Sequence, residues 1–216
     1  MTLIADTVSL KRGGQTLIAD LSFACDPGKA LILRGPNGVG KSTLLRALCG
    51  FVPLESGSVR LGDVSLEDQD LWLSQIAYAG HLDALKPQLT VRENVTFWAG
   101  LFGGRAEDAI EAFNLGEIAN RPVFTCSAGQ KRRTGLARLA LSKDRPLWLL
   151  DEPTVSLDTA TVARVAAFLR GHLAAGGYAL IATHIDLGLQ ADVVELERAE
   201  RSIANEEDPF LSEGFA

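Results

Sequence analysis

The chain has 216 residues, 47% of them hydrophobic, and a net charge of −6. That is ample for one domain with a buried core, while no apolar run approaches the roughly 18–20 residues of a membrane-spanning helix. All of the excess charge lies from Ala191 onward, where eight acidic residues outnumber two arginines, so the balanced remainder argues against nucleic-acid binding and against electrostatic docking on anionic lipid.

The first residues, Met1-Thr2-Leu3-Ile4-Ala5-Asp6, have neither the basic region nor the apolar core of a signal peptide. Cys25, Cys49 and Cys126 stand far apart without metal-ligand spacing and read as reduced thiols of a cytosolic protein. The expectation is a soluble chain whose membrane role, if it has one, comes through a partner.

Residues 3–34 carry three strand-like runs, Leu3 to Leu10, Thr16 to Ala24 and Ala30 to Leu33, parted by the turns Arg12-Gly13-Gly14 and Asp26-Pro27-Gly28. Antiparallel strands are expected first. Gly35-Pro36-Asn37-Gly38-Val39-Gly40-Lys41-Ser42-Thr43 follows directly and leads into a helical pattern through Leu44, Leu45, Ala47 and Leu48. A glycine-rich turn between strand and helix suits a phosphate: glycine lets the backbone fold tightly and aim N–H groups at the anion, and the positive helix start favours it. In that reading Lys41 reaches the β- and γ-phosphates, the Ser42 hydroxyl ligates Mg²⁺, and Thr43 adds a hydroxyl near the α-phosphate.

Further on, Glu55-Ser56-Gly57 marks a turn, Ser58 to Leu61 a short strand, and Gln75 to Ala79 another strand ending at Gly80-His81. From about 82 to 143 the periodicity is helical with almost no strand signal, which predicts a helical insert. Thr90-Val91-Arg92-Glu93 forms a capping box ahead of an apolar stripe of Val91, Val95, Trp98, Leu101 and Phe102. Ser127 caps a helix through Leu136, Leu139 and Ala140. The strand pattern returns at Pro146 to Leu150 and stops after Asp151-Glu152 at Pro153. A long helix spans about Thr159 to Leu173. Tyr178 to Thr183 reads as a strand buried on both faces, with His184 at its C-terminal end, the edge where parallel sheets bind ligands. Asp192 to Leu196 reads as one more edge strand, and the acidic tail from Asn205 as loose chain.

An Asp-Glu pair closing an apolar strand is by itself an ordinary solvated turn. Downstream of a phosphate loop it places one carboxylate near Mg²⁺ and the next beside the attacking water, so Asp151 orients the metal's water shell and Glu152 takes or aligns the water's proton as general base. His184 is placed for a γ-phosphate contact. His172, in a polar helical segment, reads as a surface residue; His81 stands at another strand end. Cys126-Ser127-Ala128-Gly129-Gln130 opens a helix with small residues and a hydroxyl, a start that can accept an anion closely or be an ordinary cap. Nothing in the chain's order brings it to its own phosphate loop.

Together these residues resemble the ATP-binding-cassette (ABC) ATPases over nearly the whole chain: Gly35 to Thr43 as Walker A, Cys126 to Gln130 as signature, Leu147 to Glu152 as Walker B, Ser156-Leu157-Asp158 as D-loop, and His184 as switch histidine. The resemblance implies an α/β P-loop NTPase fold, a single ABC ATP-binding domain over 1–216. Its RecA-like core takes in about 1–81 and 144–204 and carries an N-terminal antiparallel β subdomain, the inserted helical signature subdomain covers about 82–143, and the acidic tail 205–216. It implies ATP and Mg²⁺ as ligands, catalytic roles for Lys41, Glu152 and His184, and ATP contacts from Gly35, Pro36, Asn37, Gly38, Val39, Gly40, Lys41, Ser42, Thr43 and Arg12. Mg²⁺ would be held, partly through water, by Ser42, Asp151 and His81.

By the same resemblance two subunits form a homodimer closed head to tail around two ATP molecules. Ser127, Ala128, Gly129 and Gln130 of one subunit meet the nucleotide of the other, Asp158 sits in the D-loop between them, and hydrolysis removes the bridge. Arg12 stands about where an aromatic usually stacks on adenine, and a guanidinium plane can stack instead. Cys126 replaces the usual leucine and Ala128 the usual first glycine of the signature; neither change removes a phosphate donor.

Within that family the chain resembles the CcmA group, ATPase subunits of cytochrome c maturation. The likeness lies in Tyr78-Ala79-Gly80-His81 with Leu85-Lys86-Pro87, Leu89-Thr90 and Glu93-Asn94, and in Ser127 to Arg133 with Leu136-Ala137-Arg138-Leu139. It implies a membrane-spanning CcmB-like subunit, a wider haem-handling assembly, and coupling of ATP hydrolysis to haem export or haem-chaperone release. The implied location is peripheral, on the cytoplasmic face of a bacterial inner membrane. His81 stands where most cassettes carry the Q-loop glutamine, with a pH dependence glutamine lacks. Other readings are the ATPase of another small exporter, a soluble cassette acting as a mechanical switch, and a non-hydrolysing nucleotide module, against which Glu152 and His184 stand.

Overall fold

The computed structural model describes residues 1–198; the acidic tail expected at 205–216 lies outside the described residues. β1 (Leu3–Arg12) turns at Gly13-Gly14 into β2 (Gln15–Cys25), and β3 (Ala30–Arg34) runs through the glycine-rich loop into α1 (Lys41–Leu48). β4 (Ser56–Leu61) and β5 (Val64–Ser65) follow, then α2 (Gln69–Gln75) and β6 (Ile76–Ala79). Helices α3 (Val91–Phe102), α4 (Ala106–Ala112), α5 (Ala128–Leu136) and α6 (Arg138–Leu141) precede β7 (Leu147–Asp151), α7 (Thr159–Ala174), β8 (Tyr178–Ala182) and β9 (Ala191–Glu195).

An antiparallel sheet has the order β2-β1-β4-β5, and a parallel sheet the order β6-β7-β8-β3-β9. β3 therefore differs from the antiparallel expectation: it pairs parallel with β8 and with β9, which lies at the sheet edge as expected. Its unbroken apolar run suits a strand covered on both faces, and the flanking strands β8 and β9 supply the parallel pairing. Alternate residues of the parallel strands enter two cores. Leu31, Leu33, Leu147, Leu149 and Leu180 meet α1 and the antiparallel sheet. Ala30, Trp148, Leu150, Ala179 and Ile181 meet α7 and the helical segment through Leu169, Val95 and Leu136. Each fully buried leucine contributes about 1.5–3 kcal/mol, so Leu44, Leu45 and Leu48 anchor α1, and with it the loop, against the sheet.

The register sets the site. Ala182 lies opposite both Leu33 and Asp151, so the C-terminal ends of β3, β7 and β8 meet at one edge. Among the described residues no helix is long and apolar enough to cross a membrane.

Four details depart from the sequence reading. α2 was not anticipated and includes Gln75; Asp68 caps it by accepting from Leu71 N at 3.4 Å, and buried Trp72 donates its indole N–H to Leu48 O at 2.6 Å. The Thr90 capping box is present, but Leu101 is exposed, because α3 turns Val91, Val95, Trp98 and Phe102 inward and leaves Leu101 outside with Phe97. The Ser127 helix breaks at Ala137 into α5 and α6. His172 is half-buried rather than on the surface: its ring stacks on Trp148 at 3.8 Å between centroids, and Nε2 lies 3.0 Å from Pro146 O and 3.2 Å from Tyr178 O. The three cysteines are buried and unbridged.

Candidate nucleotide site

β3 delivers the chain to Gly35, whose φ is 137° and where an added Cβ would stand 2.4 Å from Leu196 O. Only glycine fits there. Val39 turns its side chain into the core, which pins the loop from below. α1 begins after Gly40 without a side-chain cap, so its first N–H groups remain available to an anion. Lys41 is buried, and its ammonium donates to Gly35 O at 2.6 Å and Pro36 O at 3.2 Å, folded over the loop.

A cleft of about 410 Å³ opens above the loop. Arg12, Asn37, Gly38, Gly40, Lys41, Ser42, Thr43, Asp151 and Glu152 line it, and so do Leu17 and Arg46, which sequence reasoning missed. The available signal for Arg46 was its spacing of one helical turn from Ser42 and Thr43; for Leu17, in the hairpin, there was none.

Ser42 donates its hydroxyl to Asp151 Oδ1 at 2.9 Å. Asp151 is 2% exposed, and its Oδ2 is buried without a partner. A buried carboxylate oxygen left without a donor is uncommon and suits a cation or its water. Hydroxyl and carboxylate oxygens are the hard donors Mg²⁺ prefers. No group of three or more His, Cys, Asp or Glu side chains among the described residues could hold a metal, so the other positions would fall to phosphate oxygens and water, as is usual for this ion.

Glu152 adopts φ 48°, in the left-handed region, and its N–H donates to Ala182 O at 2.8 Å. A non-glycine residue held there costs about 1–3 kcal/mol and persists only where the surroundings impose it. Its Oε1 lies 3.6 Å from Nε2 of His184, which is exposed at the rim. His81 is exposed beyond the end of β6 and is not among the cleft's lining residues. The fold thus brings Ser42, Asp151 and Glu152 to one cleft, whose lining does not include His81.

The start of α5 opens on a second cleft, of about 280 Å³. Ser127 and Gln130 cap each other, Gln130 N donating to Ser127 Oγ at 3.3 Å and Ser127 N to Gln130 Oε1 at 2.9 Å. A Cβ on Gly129 would stand 2.7 Å from Ser156 O, so α5 and the Ser156-Leu157-Asp158 loop approach as only glycine allows. Asp158 caps α7 by accepting from Thr161 N at 2.7 Å, and this hydrogen bond holds its carboxyl below the usual range. None of the residues lining this cleft lines the first.

The ABC transporter family model matches residues 18–155, a span that takes in the glycine-rich loop, the start of α5 and Asp151-Glu152. The chain belongs to the ABC transporter family. This ABC cassette is 55% identical over 191 residues to the cytochrome c biogenesis ATP-binding export protein CcmA of Paracoccus denitrificans, covering 88% of this chain and 86% of that one. It is 53% identical to the CcmA protein of Ruegeria pomeroyi, over 91% of each chain, and 49% identical to that of Cereibacter sphaeroides, over 97% of this chain and 98% of that one. A solved ATP-binding subunit of an ABC transporter shares the fold with a TM-score of 0.81 at 24% identity, over 91% of this chain and 86% of that one. A putative ABC transporter ATP-binding protein of Pyrococcus furiosus does so with a TM-score of 0.78 at 20% identity, over 91% and 98%. As a family member the chain is an ABC-type ATPase.

Proposed function

We propose that this cassette binds Mg-ATP in the cleft above the glycine-rich loop, hydrolyses it with Glu152 as general base, and drives a membrane partner in c-type cytochrome biogenesis. The observation that carries the chemistry is the Ser42–Asp151 hydrogen bond with the unpartnered Asp151 Oδ2 behind it and Glu152 next in the chain. In this reading the free N–H groups of α1 receive the β-phosphate, and Lys41 moves its ammonium from the Gly35 and Pro36 carbonyls to the phosphates. Mg²⁺ would be held by Ser42, with Asp151 ordering its waters, and would neutralise charge between the β- and γ-phosphates. Water attacks the γ-phosphorus, the bond to the β–γ bridging oxygen breaks, and Glu152 takes the water's proton. His184 turns to the γ-phosphate and orients Glu152. Arg12 stacks on the base.

The two separate clefts favour a homodimer in which Ser127, Ala128, Gly129 and Gln130 of one subunit, with Asp158 nearby, cover the nucleotide of the other. Residues about 82–143 act as the signature-bearing unit. The exposed apolar side chains Leu82, Phe97, Leu101 and Phe124 on that unit supply contact for a membrane-spanning CcmB-like subunit. The relatives' names support export linked to cytochrome c biogenesis; handling of haem or a haem chaperone, at the cytoplasmic face of the inner membrane, is our extension of that reading. Affinity capture of the Glu152→Gln protein, held closed with Mg-ATP in detergent-solubilised membranes, tests this. Recovery of a multi-span subunit with haem-handling proteins supports the reading; recovery of an unrelated permease keeps the ATPase and discards cytochrome maturation.

A further inference from the structure

The guanidinium of Arg132, in the middle of α5, is buried beneath the strand ends that carry the site, and each of its five N–H groups meets an acceptor. Nε donates to Pro153 O at 3.3 Å, Nη1 to Gly80 O at 2.8 Å and to Asp83 Oδ1 at 2.9 Å, and Nη2 to Asp151 O at 2.9 Å and Glu152 O at 2.8 Å. Four of these acceptors are backbone carbonyls, and three belong to the consecutive residues 151, 152 and 153. Charge balance alone would be met by Asp83, and α5 is already capped by its own Ser127 and Gln130. What the three consecutive carbonyls share is the turn that Glu152 makes at φ 48°, a conformation unfavourable for a residue that carries a Cβ. The planar fork of arginine fixes carbonyls on both sides of that turn, and the direction of the Glu152 side chain follows from it.

We infer that Arg132 is a positioning residue for hydrolysis: it holds the Asp151–Glu152–Pro153 backbone in the turn that aims Glu152 into the phosphate cleft, and it ties that turn to Gly80 and to α5. The inference rests on Glu152 being the general base. Arg132 is not among the residues lining either cleft, so it acts through Glu152 and not on the nucleotide.

The test compares Arg132→Lys, Asp83→Asn, Glu152→Gln and the Arg132→Lys/Glu152→Gln double variant in the full chain within its captured assembly. Single-turnover hydrolysis, steady-state kcat and KM, affinity for a non-hydrolysable ATP analogue, and melting temperature are read for each. Lysine has three donors and cannot span five acceptors, so Arg132→Lys should lower kcat by roughly 10- to 100-fold, as for a slightly misplaced catalytic group, with KM and analogue affinity near parental values. Asp83→Asn removes the ion pair and leaves the carbonyl bonds, so it should lower the melting temperature while kcat stays near parental. In the Glu152→Gln background Arg132→Lys should slow single turnover no further. An equal fall in both backgrounds, or a raised KM with kcat unchanged, overturns the inference. Parental turnover in Glu152→Gln alone overturns the base assignment and the inference with it, and is recognised without any change at Arg132. Should the lysine variant not fold, Arg132→Gln is read through the same comparison.

Discussion

Ser42, at the start of α1, and Asp151, at the end of β7, lie 109 positions apart in sequence and are joined by a hydrogen bond of 2.9 Å. The bond lines up a hydroxyl and a buried carboxylate on one side of the cleft, the hard-oxygen corner that the proposed Mg²⁺ site requires. Ser42→Ala and Asp151→Asn should each weaken the Mg²⁺ dependence of nucleotide binding, by about 10- to 100-fold in metal affinity, while nucleotide binding in chelator changes little. Calorimetric titration of an ATP analogue with and without Mg²⁺ checks this; equal weakening in both conditions would assign the pair to the fold alone.

Gly129 faces Ser156 O at a distance that leaves no room for a Cβ. Gly129→Ala should cost about 1–3 kcal/mol by overpacking and lower the melting temperature by several degrees in a chain of this size. Nucleotide affinity at the Lys41 loop should be retained while turnover falls, because the disturbed surface belongs to the other cleft. Melting curves and analogue titration on one preparation separate the two effects.

Burial lowers the pKa of His172 below its ordinary 6.5, against the opposing effect of its contacts with Tyr178 O and Pro146 O. As pH falls, the unfolded chain takes up this proton first, so the contribution is intact above about 6.5 and is lost as pH drops from there through the lower folded value. Urea midpoints measured at about pH 7.5 and about pH 5.5 should fall more in the parent than in His172→Gln. Identical falls would remove His172 from the acid sensitivity of the fold.

Arg12 lines the cleft from the antiparallel sheet and is exposed. If its guanidinium stacks on the base, Arg12→Ala should weaken ATP binding by only a few-fold, since an exposed cation–π contact is worth about 0.5–1 kcal/mol. GTP should lose as much as ATP, because stacking does not read the base edge. A loss confined to ATP would mean that Arg12 makes a directional contact instead.

The glycine-rich loop was legible in sequence because its geometry is local: glycines, a lysine and a hydroxyl between strand and helix carry their own conformation. Asp151-Glu152 was legible only through that loop, since an acidic pair after a strand means little alone. Other features depend on pairing across the chain. Ala30 to Leu33 looks alike in an antiparallel or a parallel sheet until β8 and β9 flank it. His172 looked exposed because the ring it stacks on, Trp148, belongs to β7, and Leu101 looked internal because period alone does not say which side of α3 meets α4, α5 and α6. The role inferred for Arg132 was hidden for the same reason: its acceptors span Gly80 to Pro153.

The contacts of α5 also bear on modular engineering. Residues 82–143 look like a cassette that could be exchanged between relatives, since both junctions fall in loops. Yet the graft would carry Gly129 to a recipient Ser156 carbonyl and Arg132 to recipient carbonyls at positions 80, 151, 152 and 153. A chimera cut only at the covalent ends would therefore import half of each contact. One that also transfers 80–81 and 151–158 moves both halves together, and these are the segments that should travel as one evolutionary unit.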